Sequence, residues 1–249
     1  MKKIIILVII SLPIFAFSQQ NMEGTVRYLI THNWAKKLMA VEYLSKQQRE
    51  KSMYMWGNRS EWKEYYLMHF NLNESKYEES EEKAERSNET YNWRKETFFI
   101  KRNYQKMATY EGYEILGKTY IVEDSLYSYD WKIQNDLKEV AGHICMKAFL
   151  EDTVKKQKIV AWFAQDIPLP MGPERFHGLP GLILELDYND GAMLITADKI
   201  DYKKLTTELD TPKKLKGKKI KEFDYQSLIQ KHVAEKTKSE EPWFWGVRY

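Results

Sequence analysis

The stretch ERFHGLPGLILEL, residues 174–186, sets Gly178, Pro180 and Gly181 directly before a run of aliphatic residues. Proline fixes φ and removes a backbone donor. Glycine takes backbone that other residues reach only at a cost. Together they predict a loop that turns repeatedly and then delivers the chain into a buried strand. In that strand Leu182, Leu184 and Leu186 alternate with Ile183 and Glu185, so the leucines are expected on one face. The next run, AMLITADKI (192–200), follows Asn-Asp-Gly, and Asp190-Gly191 suits a tight primed hairpin turn with positive φ at both positions.

The same pattern repeats upstream. HICMKAFLE (143–151) and KIVAWFAQ (158–165) flank a short polar link and predict a second hairpin. TYIVEDSLYSYDWKI (119–133) alternates aromatic and aliphatic residues. Strands are also expected at 22–31, 61–71 and 96–104, and a helix over 35–51. Residues 72–92 are rich in Glu, Ser, Asn and Lys and predict a polar loop or insert. The apolar stripe of Phe223, Leu228, Ile229 and Val233 predicts a helix at 223–236. The C-terminal EEPWFWGVRY predicts an edge strand or an aromatic tail folded on the sheet. No long helix separates the later strands, which argues against a parallel α/β sheet. The expected fold is mainly β: one curved antiparallel sheet, a meander of hairpins, with one or two packed helices.

The chain begins MKKIIILVIISLPIFAFSQQ, with a basic start, a short apolar core and small residues at Ala16 and Ser18. This pattern predicts a secretory signal peptide over 1–18, leaving a single domain at 19–249. No later run is long and apolar enough to span a bilayer, so no integral membrane span is expected after cleavage. Loss of Lys2 and Lys3 takes the formal charge from +3 to +1. A nearly neutral chain disfavours nucleic acid as partner. The lone Cys145 cannot make an internal disulfide.

The segment DIPLPMGPERFHGLPG (166–181) is long for a connection, and long ordered loops often carry function. Its Ile167, Pro168, Gly172, Pro173, Phe176, Gly178, Leu179, Pro180 and Gly181 are the candidate binding residues. A covering flap over the sheet is the competing reading. His143 and Cys145 stand two apart in a predicted strand and so share a face. With His177 they form a candidate metal set, because imidazole and thiolate suit zinc or copper. Cysteine is also among the most buried residue types, so a packed Cys145 beside an ordinary histidine is the plainer expectation. No nucleophile elbow, HExxH or phosphate-cradling glycine loop is present, and no catalytic residue or cofactor is assigned.

GLPGLIL (178–184), with IP at 167–168 and GP at 172–173, resembles the GLPGLI family of exported Bacteroidetes proteins. GTVRY (24–28), LMHFNLNESKYE (67–78), WKI (131–133), CMKA (145–148) and AWF (161–163) resemble further segments of that family. His143 departs from it, standing where an aromatic residue is expected. The resemblance implies an exported protein of the periplasm or cell envelope with no characterised activity. It also implies an accessory role beside an outer-membrane protein such as a TonB-dependent receptor. The expected function is therefore a non-catalytic binding or accessory protein. The alternatives are a carrier of an apolar ligand in the curved sheet, and a metal-binding or hydrolytic protein centred on His143 and Cys145.

Overall fold

The computed structural model describes residues 22–56, 61–84, 98–211 and 215–249. The signal peptide expected over 1–18 lies outside these residues, as do the 85–92 end of the polar stretch and positions 212–214. The first half of the chain supplies β1 (Gly24–Asn33), α1 (Trp34–Met39), α2 (Lys46–Trp56), β2 (Glu61–Phe70), β3 (Glu74–Glu79), β4 (Phe98–Asn103), β5 (Ala108–Ile115) and β6 (Lys118–Ser125). The second half supplies β7 (Lys132–Val140), β8 (His143–Asp152), β9 (Gln157–Ala164), β10 (Leu182–Tyr188), β11 (Met193–Tyr202), β12 (Lys218–Ile220) and α3 (Glu222–Lys238). A 3-10 turn at Trp243–Trp245 follows.

The strands form one 12-stranded sheet in the order β12-β6-β5-β4-β3-β2-β1-β11-β10-β9-β8-β7. The sheet is mainly antiparallel, as the hairpin pattern predicts. The exception is β12, which lies parallel to β6 at one edge. At the other end the sheet curls, and Lys138 of β7 reaches Glu185 of β10 at 2.6 Å.

Several expectations are corrected by packing. The helix expected over 35–51 is broken between α1 and α2, where Val41 and Leu44 turn inward and are buried. The second helix has its own start: Ser45 N donates to Gln48 Oε1 and Gln48 N donates to Ser45 Oγ, a reciprocal capping pair. The polar stretch 72–92 contains β3, whose Tyr77 sits between Met68 of β2 and Ile100 of β4 and is buried. Its charged residues are accommodated by ion pairs such as Lys76–Glu78 at 2.8 Å, so low aliphatic content does not keep it out of the sheet. The alternating run 119–133 splits into β6 and the start of β7. Between them Tyr129 and Trp131 pack their rings on Phe176. The C-terminal residues form no edge strand. Trp243 and Phe244 are buried, and His232 Nε2 of α3 bonds the Trp243 carbonyl at 2.8 Å.

A β-bulge overturns the expected face of the leucines. Ile183 pairs with Phe163 and Glu185 with Trp162, so Leu184 is the extra residue. Ile183 and Leu186 therefore share the face of Phe163 and Ala161. Leu182 and Glu185 share the face of Ala164 and Trp162.

Candidate functional site

The 165–181 loop is part of the core. Ile167, Gly172, Pro173, Leu179 and Gly181 are buried, Phe176 is half-buried, and only Pro168, Gly178 and Pro180 of the nine candidates are exposed. The backbone ties the loop to its own strand: Leu182 N donates to Ile167 O and Ile183 N to Met171 O, each at 2.9 Å. Gly181 is required by proximity, since a Cβ there would stand 2.2 Å from the Ala164 carbonyl oxygen. Gly178 is required by conformation, with φ at +90°. Most of the candidate binding residues thus hold the loop down. The segment that reaches a cavity is Glu174–Phe176.

Beneath that segment the strands present charge inward. Arg102 of β4 is buried and donates to the Glu174 carbonyl at 2.5 Å and the Gly172 carbonyl at 3.4 Å. Glu111 of β5 accepts from Thr109 Oγ1 at 2.6 Å, from Arg175 Nε at 2.9 Å and from the Tyr113 hydroxyl. Burial alone would raise the Glu111 pKa. The nearby Arg175 and Arg102 outweigh it and bring the carboxyl down to about 2. Arg175 also pairs with Glu222 at the start of α3. Its guanidinium lies 4.4 Å from the Tyr225 ring centre. Arg248, from the C-terminal turn, holds Glu174 with two bonds and reaches the Tyr66 hydroxyl at 3.2 Å. A separate buried chain runs from Lys37 Nζ to His32 Nδ1 at 2.7 Å and from His32 Nε2 to Glu64 at 3.0 Å. Burial and the adjacent Lys37 push the His32 pKa down to about 4.

This frame encloses a cavity of about 190 Å³. One wall is the β8–β9 turn with Lys155 and Gln157, and a second is Glu174–Phe176. Tyr113, Tyr129, Tyr188, Tyr225, Arg248 and Tyr249 also line it. Gln157 is 3% exposed, and its Nε2 has no hydrogen-bond partner. Its side chain sits near enough to the Tyr249 hydroxyl to oppose the rise that burial gives that group, without reaching bonding geometry. The Lys155 ammonium donates to the Arg248 carbonyl at 2.9 Å and stands 5.2 Å from the Trp243 ring centre.

The three candidate metal ligands go to different surroundings. His143 Nδ1 pairs with Asp166 at 2.6 Å. Cys145 is buried, and burial raises its pKa to about 11. His177 packs edge-on to Tyr104 and Tyr129. Among the described residues, no group of three or more His, Cys, Asp or Glu is placed to hold a metal ion. Arg102, Glu111, Lys155, Gln157, Arg175 and Arg248 were not singled out by sequence reasoning. Arg102 in FFIKRN and Glu111 in β5 carry a signal, charge at inward-facing strand positions; Gln157 is uncharged, and Lys155, Arg175 and Arg248 lie outside the strands.

No helix among the described residues is long and apolar enough to cross a membrane. The model of a family described as "Protein of unknown function (Porph_ging)" matches residues 150–185, which span the end of β8, β9, the loop and the start of β10. Among curated proteins, none matches this chain. In two crystal forms, C2 and P21, the solved structure of PNGF-II superposes with a TM-score of 0.53 at 12% identity. The match covers 84% of this chain and 33% of PNGF-II, so the chain spans about a third of that protein's length. The likeness is one of fold. Residues 150–185 are thus similar to a family of unknown function, and the sheet as a whole is similar to part of PNGF-II.

Proposed function

We propose that the protein is an exported, non-catalytic binding or accessory protein of the cell envelope, with its receptacle in the cavity beneath Glu174–Phe176. The observation that carries this reading is the buried, unpartnered Gln157 Nε2 on the wall of a cavity whose arginines are already tied to carboxylates. Buried polar groups are almost always satisfied, and an orphan on a cavity wall suits a bound molecule. Glu174 and the neighbouring Glu111 are engaged by arginines, which suits a rigid frame better than proton transfer. The leader pattern at 1–18 and the resemblance of 178–184 to the GLPGLI family support the envelope location. The family match at 150–185 falls on the same loop. Residues near the cavity are too polar to favour a carrier of a purely apolar ligand. An outer-membrane receptor as partner rests on the family resemblance alone.

The test is recovery of the protein from its native envelope, followed by native mass spectrometry. The expected result is a chain starting at residue 19, carrying a small molecule that unfolding releases. A chain that keeps residues 1–18 and remains in the cytosol removes the envelope reading. A chain recovered empty from every preparation removes the binding reading.

A further inference from the structure

We infer that the cavity takes a small molecule with an oxyanion, a carboxylate or phosphate, on a single aromatic or apolar body. This rests on the reading of the cavity as a receptacle and specifies what it receives. Donors and acceptors along its lining are out of balance. The acceptors are largely used. Both oxygens of Glu174 are held by Arg248, and Asp152 Oδ1 accepts the Val154 and Lys155 amides at 2.9 Å each. Glu151 is exposed at the rim. The arginines are used too, Arg175 by Glu111 and Glu222, and Arg248 by Glu174.

Two side-chain nitrogen donors on the lining are left without a carboxylate, beside the hydroxyls of Tyr129, Tyr188 and Tyr225. Gln157 Nε2 has no acceptor. Lys155 rests on a carbonyl and an aromatic face, and among the described residues no carboxylate pairs with it. Two donors on one wall, one of them cationic, call for acceptor oxygens with negative charge, because charge-assisted bonds are the stronger kind. Burial lowers the Lys155 pKa against the pull of Asp152 and Glu174, and a bound anion would favour the charged ammonium.

The size and the remaining wall define the rest of the ligand. A cavity of about 190 Å³ is on the scale that accepts one benzene-sized ring, since an apolar cavity of about 150 Å³ does so. Tyr129, Phe176 and Tyr188 offer rings for it to pack on. Glu151, Asp152, Thr153 and Gln157 also line an outer groove, so the β8–β9 turn stands between the cavity and the surface.

The experiment is calorimetric titration of the purified protein with benzoate, phenyl phosphate and benzyl alcohol. The last probe keeps the ring and loses the charge. The expected result is that at least one anion binds about tenfold or more tighter than benzyl alcohol, the scale of one charge-assisted bond. Comparison of the two anions identifies the source of the oxygens. Gln157→Leu and Lys155→Met are each expected to lower anion affinity about tenfold and to leave benzyl alcohol unchanged. Gln157→Glu keeps the shape and places a negative charge on the wall. It is expected to abolish anion binding and serves if the leucine variant does not fold. Equal affinity for benzyl alcohol and the anions overturns this inference while the cavity remains a receptacle. No binding by any probe overturns both.

Discussion

Arg248 grips the Glu174 carboxylate with two bonds, Nε to Oε2 at 2.7 Å and Nη2 to Oε1 at 2.6 Å, and so fastens the C-terminal turn to the loop ahead of β10. Glu174 is 5% exposed, so loss of its partner leaves a buried carboxylate unpaired. Arg248→Met is expected to destabilise the fold by about 3 kcal/mol. The double variant Arg248→Met with Glu174→Gln should recover much of that loss, because the stranded charge is gone. Urea unfolding midpoints of the three proteins measure it. A double variant no more stable than Arg248→Met would refute the pairing account.

The two glycines of the loop's last turn fail for different reasons when replaced. Gly178→Ala meets open space but keeps a φ of +90°, and about 1 kcal/mol of strain is expected. Gly181→Ala drives a methyl against the Ala164 backbone carbonyl, which cannot rotate away as a side chain would. The second variant should melt well below the first. Thermal unfolding of both decides it, and equal melting temperatures would contradict the close approach.

Acid stability should depend on buried imidazoles, His32 and His177 above all, with the His69 pKa also lowered by burial. Burial and Lys37 bring the His32 pKa to about 4, and burial and Arg102 bring His177 to about 3. In the unfolded chain both bind protons near pH 6.5. The unfolded state therefore holds more protons between about 6.5 and 4, and stability falls as pH drops through that window. Glu111, at about 2, adds its own loss only below its unfolded value near 4.5. Unfolding midpoints at pH 7 and pH 5 should drop less in His32→Gln and His177→Gln than in the parent. An unchanged drop in both variants assigns the effect elsewhere.

The Cys145 thiol should be chemically quiet while the protein is folded. Burial first, and then the negative Asp166 and Glu185, raise its pKa from 9.0 to about 11. The thiolate is the reactive form, so alkylation at pH 8 should be slower by about a hundredfold in the folded state than in urea. Matched rates of iodoacetamide labelling would show that the thiol is exposed.

The hairpins were legible because period-2 alternation and turn residues are local. Asp190 and Gly191 adopt positive φ as expected, but Asn189 does so too, and Tyr188 pairs with Met193, so the turn is a four-residue loop rather than the tight two-residue one. The start of α2 was legible as well, in the Ser45 and Gln48 spacing, although the reading ran one helix through it. β3 was hidden because its one buried aromatic, Tyr77, is flanked by paired charges and its other buried residues, Ser75 and Lys76, are polar. The bulge at Leu184 was hidden because alternation in one strand carries no information about its neighbour's register. The charge frame was the least legible part. Arg248 and Glu174 stand 74 residues apart, and neither has a local feature that marks it as one of a pair. His143 and Cys145 show the converse. They lie two apart on β8, yet His143 turns to Asp166, 23 residues away.

β1 lies in the middle of the sheet, between β2 and β11. The wing from β1 to β6 is built from strands in sequence order, and so is the wing from β7 to β11. Among the described residues, the strand pairing that joins them is that of Gly24–His32 with Met193–Tyr202. During synthesis each wing can pair strand by strand in sequence order, but one flank of β1 waits open until the last long strand is made. Long-range closure of that kind slows folding and leaves an adhesive edge in the meantime. A fragment ending at Ser125 would keep that edge and should self-associate through it.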